Sequence, residues 1–215
     1  MTAEPTPLPN RRLGVLISGR GSNLQAIIDA IAAGALDATI AVVVSNRAGA
    51  AGLTRARDAG LETCFIDPRR FSTRDAYDRA LADELRAHDV GLVCLAGYMR
   101  LVGAPLLEAF PGRILNIHPS LLPSFPGLHA QRQALEHGAR VSGATVHVVT
   151  AELDAGPIVR QAAVPVLEGD TEESLAARIL VEEHRIYPEA IRELLEGRFR
   201  PAPGSASARP LPAGS

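Results

Sequence analysis

Short runs of β-branched and aliphatic residues alternate with longer segments in which apolar positions recur every three to four residues. The alternation predicts strand 12–17, helix 22–33, strand 39–45, helix 49–59, strand 63–66, helix 73–87 and strand 91–95. Strands separated by helices in this rhythm form a parallel sheet with covering helices, because each crossover returns the chain in the same direction. Beyond residue 100 the pattern predicts a short helix near 104–109, a strand 113–117, a Pro- and Gly-rich loop 119–128 and a helix 129–137. Strands 141–149 and 157–166, joined by a tight acidic loop, read as an antiparallel edge, and a long helix 171–196 ends the pattern. The fold class is therefore α/β, a mostly parallel twisted sheet flanked by helices, with an antiparallel edge pair in the C-terminal third.

Residues 1–11 are polar and Pro-rich, and residues 200–215 are mainly Pro, Ala, Gly and Ser. Segments of this kind bury too little to order themselves, so both are expected to be disordered tails around one domain at 12–199. A length of 215 residues with 47% hydrophobic content fills one core of ordinary size. Lys+Arg 22 against Asp+Glu 24 leaves a formal charge of -2, which favours no polyanionic partner, nucleic acid included. Lysine is absent, so Schiff-base, pyridoxal-phosphate and P-loop chemistry are excluded. Cys64 and Cys94 sit in apolar runs, as buried reduced thiols do. With no basic-then-apolar leader and no run approaching the ~20 residues of a membrane span, a soluble cytoplasmic protein without a membrane partner is expected. Monomer and homodimer both remain open.

The first strand runs into Ser18-Gly-Arg-Gly-Ser-Asn-Leu24, a glycine-rich turn opening a helix. Free backbone N–H groups and the helix dipole favour an anion there, phosphate above all. The alternative is a plain turn with Ser22 as N-cap. The loop is Rossmann-like, but Leu24 stands where a dinucleotide fingerprint has its third glycine, and strand 39–45 ends in Ser45-Asn46-Arg47 without a ribose-binding acid. That disfavours NAD and leaves an NADP phosphate on Arg47 as a rival reading. At the end of strand 113–117, period-two alternation puts Asn116 and His118 on one face. A carboxamide donor and an imidazole at a strand's carboxyl end suit an oxyanion and a proton transfer. Glu152-Leu153-Asp154-Ala155-Gly156-Pro157 is either a hairpin turn or a loop bringing a carboxylate to His118, where Asp154 would orient the ring and favour imidazolium. His147 shares a face with Thr145 and reads as support or packing, while His129 follows a Pro-Gly turn and orders that loop. Lacking HxH or HxxxH spacing, His118, His129, His147 and Asp154 are not expected to hold a metal.

Taken together, Ser18-Gly-x-Gly-Ser-Asn-Leu24, Leu115-Asn-Ile-His-Pro-Ser-Leu-Leu-Pro123, Phe125-Pro-Gly-Leu-His129 and Glu152-Leu-Asp-x-Gly-Pro157 resemble the folate-dependent phosphoribosylglycinamide (GAR) formyltransferases, over about residues 12 to 199. The resemblance implies transfer of a formyl group from 10-formyltetrahydrofolate to the amine of GAR in purine biosynthesis, with no metal. It assigns Gly21, Ser22 and Asn23 to the GAR phosphate, Pro119 to the GAR site and Glu183 to the ribose hydroxyls. Folate contacts fall on Arg74, Met99, Arg100, Leu101, Val102, Asn116, Glu152, Leu153 and Asp154. Asn116, His118 and Asp154 become the catalytic group, the first two stabilising a tetrahedral oxyanion while Asp154 orients His118 and positions a proton-relaying water. Ala155 and the Leu180-Val181 pair depart from the family's usual residues. The length leaves no room for the extra domains of methionyl-tRNA formyltransferases or formyltetrahydrofolate deformylases. Rival readings are a formyltransferase for another amine, an NADP-dependent reductase and a silent nucleotide-binding module.

Overall fold

In the computed structural model, which describes residues 8–201, the apolar runs become β1 (Arg12–Ile17), β2 (Thr39–Ser45), β3 (Thr63–Phe65) and β4 (Leu92–Leu95). They are linked by α1 (Ser22–Ala32), α2 (Ala51–Asp58) and α3 (Arg74–Ala87). Then follow α4 (Ala104–Ala109), β5 (Ile114–His118), α5 (Ala130–Glu136), β6 (Val141–Val148), β7 (Ile158–Pro165) and α6 (Glu172–Leu195). A short 3-10 turn at Pro68–Arg70 was not legible in the periodicity, being too short to show one; the Asp67 side chain caps it by accepting from Arg69 N–H at 3.0 Å.

All seven strands lie in one sheet, in the order β3-β2-β1-β4-β5-β6-β7. Pairing is parallel from β3 to β5 and antiparallel for β5–β6 and β6–β7. Covered on both faces, β1 and β4 read as unbroken apolar runs, buried throughout apart from Arg12. The edge strand β7 instead alternates, with Ala162 and Val164 buried between exposed neighbours. Helix α6 starts with a reciprocal cap between Thr171 and Ser174 and buries Leu175, Ile179, Ile186, Tyr187, Ile191 and Leu194. From β1 the chain winds outward to β2 and β3, then returns to β4 on the other side of β1. The glycine loop after β1 and the segment after β4 therefore flank the point where open α/β sheets bind ligands.

The expectation of a disordered tail through residue 11 needs correction at residues 8–11. Leu8 packs against the core, Asn10 Nδ2 donates to the Asp89 carbonyl at 2.9 Å, and Arg11 pairs with Asp37 at 2.9 Å. These partners lie far off in the chain, where composition does not reveal them. At the other end Phe199 packs against the same core and Arg200 donates to the Phe199 carbonyl. The remainder of both expected tails lies outside the described residues. Cys94 is fully buried, whereas Cys64 is half-buried at the sheet's edge, its thiol pushed up to about 11 by burial. Among the described residues no helix is long and apolar enough to cross a membrane.

Candidate active site

The glycine loop ends on Gly21 in the left-handed region, φ 72°, which serves as the N-cap of α1. Ser22 is thus the first helical residue and not the cap, and no side chain caps the helix. The N–H groups of the first turn stay available to an anion. The loop lies tightly on α2: a Cβ at Gly21 would sit 2.7 Å from Gly52 Cα, and Gly52 N–H donates to the Gly19 carbonyl at 3.0 Å. A glycine inside a helix is unfavourable by roughly 1 kcal/mol, so Gly52 was the available hint of this close approach. Arg47 lies beside the loop, with Arg20, on the wall of an open bowl of about 430 Å³.

In the first turn of α1, Asn23 Nδ2 donates to Glu183 Oε2 at 2.7 Å across 160 residues of sequence, and both side chains are buried. Asn23 Oδ1 is buried without a partner among the described residues. Burial raises the Glu183 carboxyl above its ordinary range. Ionised Glu183 is therefore less stable in the fold than in the unfolded chain, and the folded state loses stability as pH rises through the raised value. Glu183→Gln removes that burden while its amide oxygen still accepts from Asn23. Differential scanning calorimetry at pH 7 should show an unchanged or higher melting temperature, and where Glu183 meets the ribose hydroxyls, as the resemblance implies, the KM for the ribose-bearing substrate should rise roughly tenfold for a lost charged hydrogen bond. A clear melting loss with unchanged KM would make Glu183 a structural acid.

The second cluster stands on β5 and β6. Leu115 and Ile117 enter the core beneath α1 and α6, so Asn116 and His118 project from the opposite face of the sheet. Antiparallel register sets His147 directly across from Asn116 and Thr145 across from His118. Asn116 Nδ2 lies 3.2 Å from His147 Nε2, while His118 Nδ1 is 3.5 Å from Asp154 Oδ2 and His147 Nε2 is 3.6 Å from Asp154 Oδ1. The loop 149–157 thus folds back and places Asp154 between both rings, at φ 51°, a conformation Asp tolerates better than most residues. It also accepts from Gly127 N–H at 2.8 Å. Burial alone would raise the Asp154 carboxyl, but the contacts from His147, Gly127 and His118 together hold it below the usual range, so it is ionised. Thr145 braces the loop after His118, donating to the Ser120 carbonyl at 2.6 Å and accepting from Leu122 N–H at 3.0 Å.

His118 departs from the sequence expectation. Burial lowers its imidazole below the usual 6.5, outweighing both Asp154 and the Phe125 carbonyl that Nε2 faces at 2.9 Å. The ring is neutral at pH 7 in the free protein, where the sequence led to imidazolium, because proximity to a carboxylate is legible in a motif and desolvation is not.

The remaining folate-assigned residues gather around α3 and the segment after β4. Arg100 stacks over the Tyr77 ring at 4.9 Å, and Arg74, at the start of α3, adjoins Gly103. Asp78, buried on the apolar stripe of α3, accepts from Gly103 N–H at 2.7 Å and fixes this segment, a role its phase on the helix would have disclosed. Ser18 was missed as well; it donates to Asn46 Oδ1 at 2.7 Å and accepts from Met99 N–H at 2.8 Å, joining three strand ends. Met99, Leu101 and Leu153 are large apolar side chains left more than half exposed, at 62%, 56% and 55%, and Glu152 is exposed beside Leu153. Val102 and Pro119 are half-buried. His129 is not brought to the site; it begins α5 and faces Glu172 at 3.8 Å. Among the described residues no three His, Cys, Asp or Glu side chains group as metal ligands.

This arrangement has known counterparts. A family model described as formyl transferase matches residues 11–191, a span that holds all of these clusters. The chain belongs to the formyl transferase family. It is 50% identical over 186 residues to phosphoribosylglycinamide formyltransferase of Escherichia coli strain K12, covering 86% of this chain and 88% of that protein. It is likewise 50% identical over 194 residues to the trifunctional purine biosynthetic protein adenosine-3 of Drosophila pseudoobscura pseudoobscura, covering 89% of this chain but only 14% of that much longer protein. Among solved structures, glycinamide ribonucleotide transformylase 1 from Symbiobacterium toebii superposes with a TM-score of 0.87 at 62% identity, covering 91% of this chain and 94% of that one. The family's mostly parallel sheet with its antiparallel β5–β6–β7 edge is the architecture found here.

Proposed function

We propose that this chain transfers the formyl group of 10-formyltetrahydrofolate to the primary amine of GAR, yielding formyl-GAR and tetrahydrofolate, with 12–199 as the catalytic domain. The observation that carries the reading is the convergence of Asn116, His118 and Asp154 with His147, at 3.2–3.6 Å, at the carboxyl end of β5, two strands from the uncapped glycine loop that follows β1. The names of the relatives support the acceptor.

The glycine loop of Gly21, Ser22 and Asn23 holds the phosphate of GAR, Glu183 meets the ribose hydroxyls and Pro119 belongs to the GAR site. Arg74, Glu152, Leu153 and the Met99–Val102 segment receive the folate, whose apolar ring faces suit the exposed Met99, Leu101 and Leu153. The amine nitrogen attacks the formyl carbon, forming the new C–N bond and an oxyanion. As the oxyanion collapses, the bond to the folate nitrogen breaks, and one proton passes from the attacking nitrogen to the departing one. Asn116 donates to the oxyanion. Asp154, already ionised, holds His118 and a proton-carrying water. In the free protein both His118 nitrogens face acceptors, Phe125 O and Asp154, so the ring serves the substrate only when one contact opens.

The test is tetrahydrofolate release, followed with and without GAR. Release that requires GAR and yields one formyl-GAR per tetrahydrofolate is the expected result. Release at the same rate without GAR indicates hydrolysis of the formylfolate, and release driven by another amine but not by GAR overturns the acceptor.

A further inference from the structure

We infer that His147 is a positioning residue for the transfer, acting through Asn116: its Nε2 accepts one Nδ2–H of the Asn116 carboxamide and thereby aims the other at the oxyanion. The inference rests on the formyl-transfer reading above. Three observations carry it. His147 is 2% exposed and stands directly across from Asn116 in the β5–β6 register, so the pair is built into the ladder rather than met by chance rotamers. His147 Nδ1 lies 3.2 Å from the Val148 carbonyl, nearer than Nε2 lies to Asp154 Oδ1 at 3.6 Å; both of these groups only accept, and the closer contact assigns the hydrogen to Nδ1 and the lone pair to Nε2. Asn116 Nδ2 meets that lone pair at 3.2 Å.

A carboxamide is otherwise free to turn over, exchanging its donor for its acceptor at little cost. An acceptor fixed at His147 Nε2 removes that freedom, since the turned amide would set an oxygen against a lone pair. The consequence falls on catalysis because both His118 nitrogens face acceptors in the free site, whereas the second Nδ2–H of Asn116 has no partner among the described residues. The competing role uses the other tautomer, in which an Nε2–H of His147 donates toward Asp154 Oδ1 at 3.6 Å and so helps to lower that carboxyl; Nε2 cannot accept from Asn116 and donate to Asp154 at once. The groups facing His147 are thus Asn116, Asp154 and, further off, His118.

A double-mutant cycle separates the two. Phe at position 147 keeps the ring's bulk and removes the acceptor; Gln restores an acceptor close to the place of Nε2. His147→Phe should lower kcat roughly tenfold or more, as loss of an orienting partner does, with KM for both substrates within twofold. His147→Gln should recover most of that loss. In an Asn116→Ala enzyme, His147→Phe should change kcat less than about twofold, and in Asp154→Asn it should act with its full factor. Full multiplicative loss in the Asn116→Ala background, together with silence in Asp154→Asn, overturns the assignment and gives the ring to Asp154. Should His147→Phe not fold, ¹⁵N spectra of the wild-type imidazole at the assay pH decide the matter: a bare Nε2 with protonated Nδ1 supports the inference, and a protonated Nε2 overturns it. Wild-type release of tetrahydrofolate on GAR is the control, for its absence defeats the transfer reading and not this pairing.

Discussion

Asp154→Asn should lower turnover on the order of 10²-fold or more while leaving the KM for GAR and folate nearly unchanged, as in other His–Asp pairs. Asn accepts a positive φ about as readily as Asp, so the backbone at φ 51° is retained, and what is lost is the charge and one of the two acceptor oxygens, which becomes a donor. Asp154 faces His118 Nδ1 at 3.5 Å, while the ring's other nitrogen faces a carbonyl, so only the cation has a donor for each acceptor. In the free protein burial prevails and the ring is neutral. The carboxylate's part is then to hold the ring and to stabilise a proton arriving during the reaction. If so, adding Asp154→Asn to a His118→Ala enzyme should remove little more, because residues acting as a unit lose activity non-additively. Multiplicative losses would show that Asp154 acts on the water alone.

The same residues set a pH dependence. His118 has a lowered folded pKa, so the unfolded chain binds more protons below the usual 6.5, and stability falls as pH drops from 6.5 toward the folded value. Asp154 has a lowered folded pKa, so its contribution is present above the ordinary carboxylate value of 3.8 and is lost only as pH falls below that. The buried Glu183 works in the opposite sense over this range and His184 in the same sense, so the readout is the difference: between pH 7 and 5 the melting temperature of the wild type should fall relative to that of His118→Gln, and parallel curves would remove His118 as a source.

Gly156→Ala should be the most damaging single methyl in the site. A Cβ there would lie 1.7 Å from the Val148 carbonyl oxygen and 3.1 Å from Thr150 Cγ2. That oxygen is backbone, and the strand is pinned by Val148 N–H donating to the Pro157 carbonyl at 2.9 Å, so neither side yields easily. Overpacking of this kind costs about 3 kcal/mol, or a melting loss of about 6–12 °C for a domain of this size. Turnover should fall further than stability accounts for, because the displaced loop carries Asp154 two residues earlier. Ala155, the departure from the family's usual glycine, is exposed; Ala155→Gly should shift stability by under about 1 kcal/mol. Calorimetry and turnover on the two variants check the contrast, and a Gly156→Ala protein that melts and turns over like the wild type would mean the loop is free to move.

How much of this was legible beforehand follows from the range of each interaction. Hydrophobic period is a local property, and it fixed the order of strands and helices to within a residue or two, including the change from parallel to antiparallel pairing. Period-two alternation likewise placed Asn116 and His118 on one face, and a glycine turn before a helix marked the loop whose first-turn N–H groups no side chain caps. What the sequence left open were relations between distant segments. Asn23 and Glu183 meet across 160 residues, and His147 meets Asn116 only through the β5–β6 register. The choice for Asp154 between hairpin turn and partner of His118 was made by the way loop 149–157 folds back over the sheet. Tertiary structure also decided the charge of His118, since a motif shows which groups are near a ring but only the packed fold shows how much water has been taken from it.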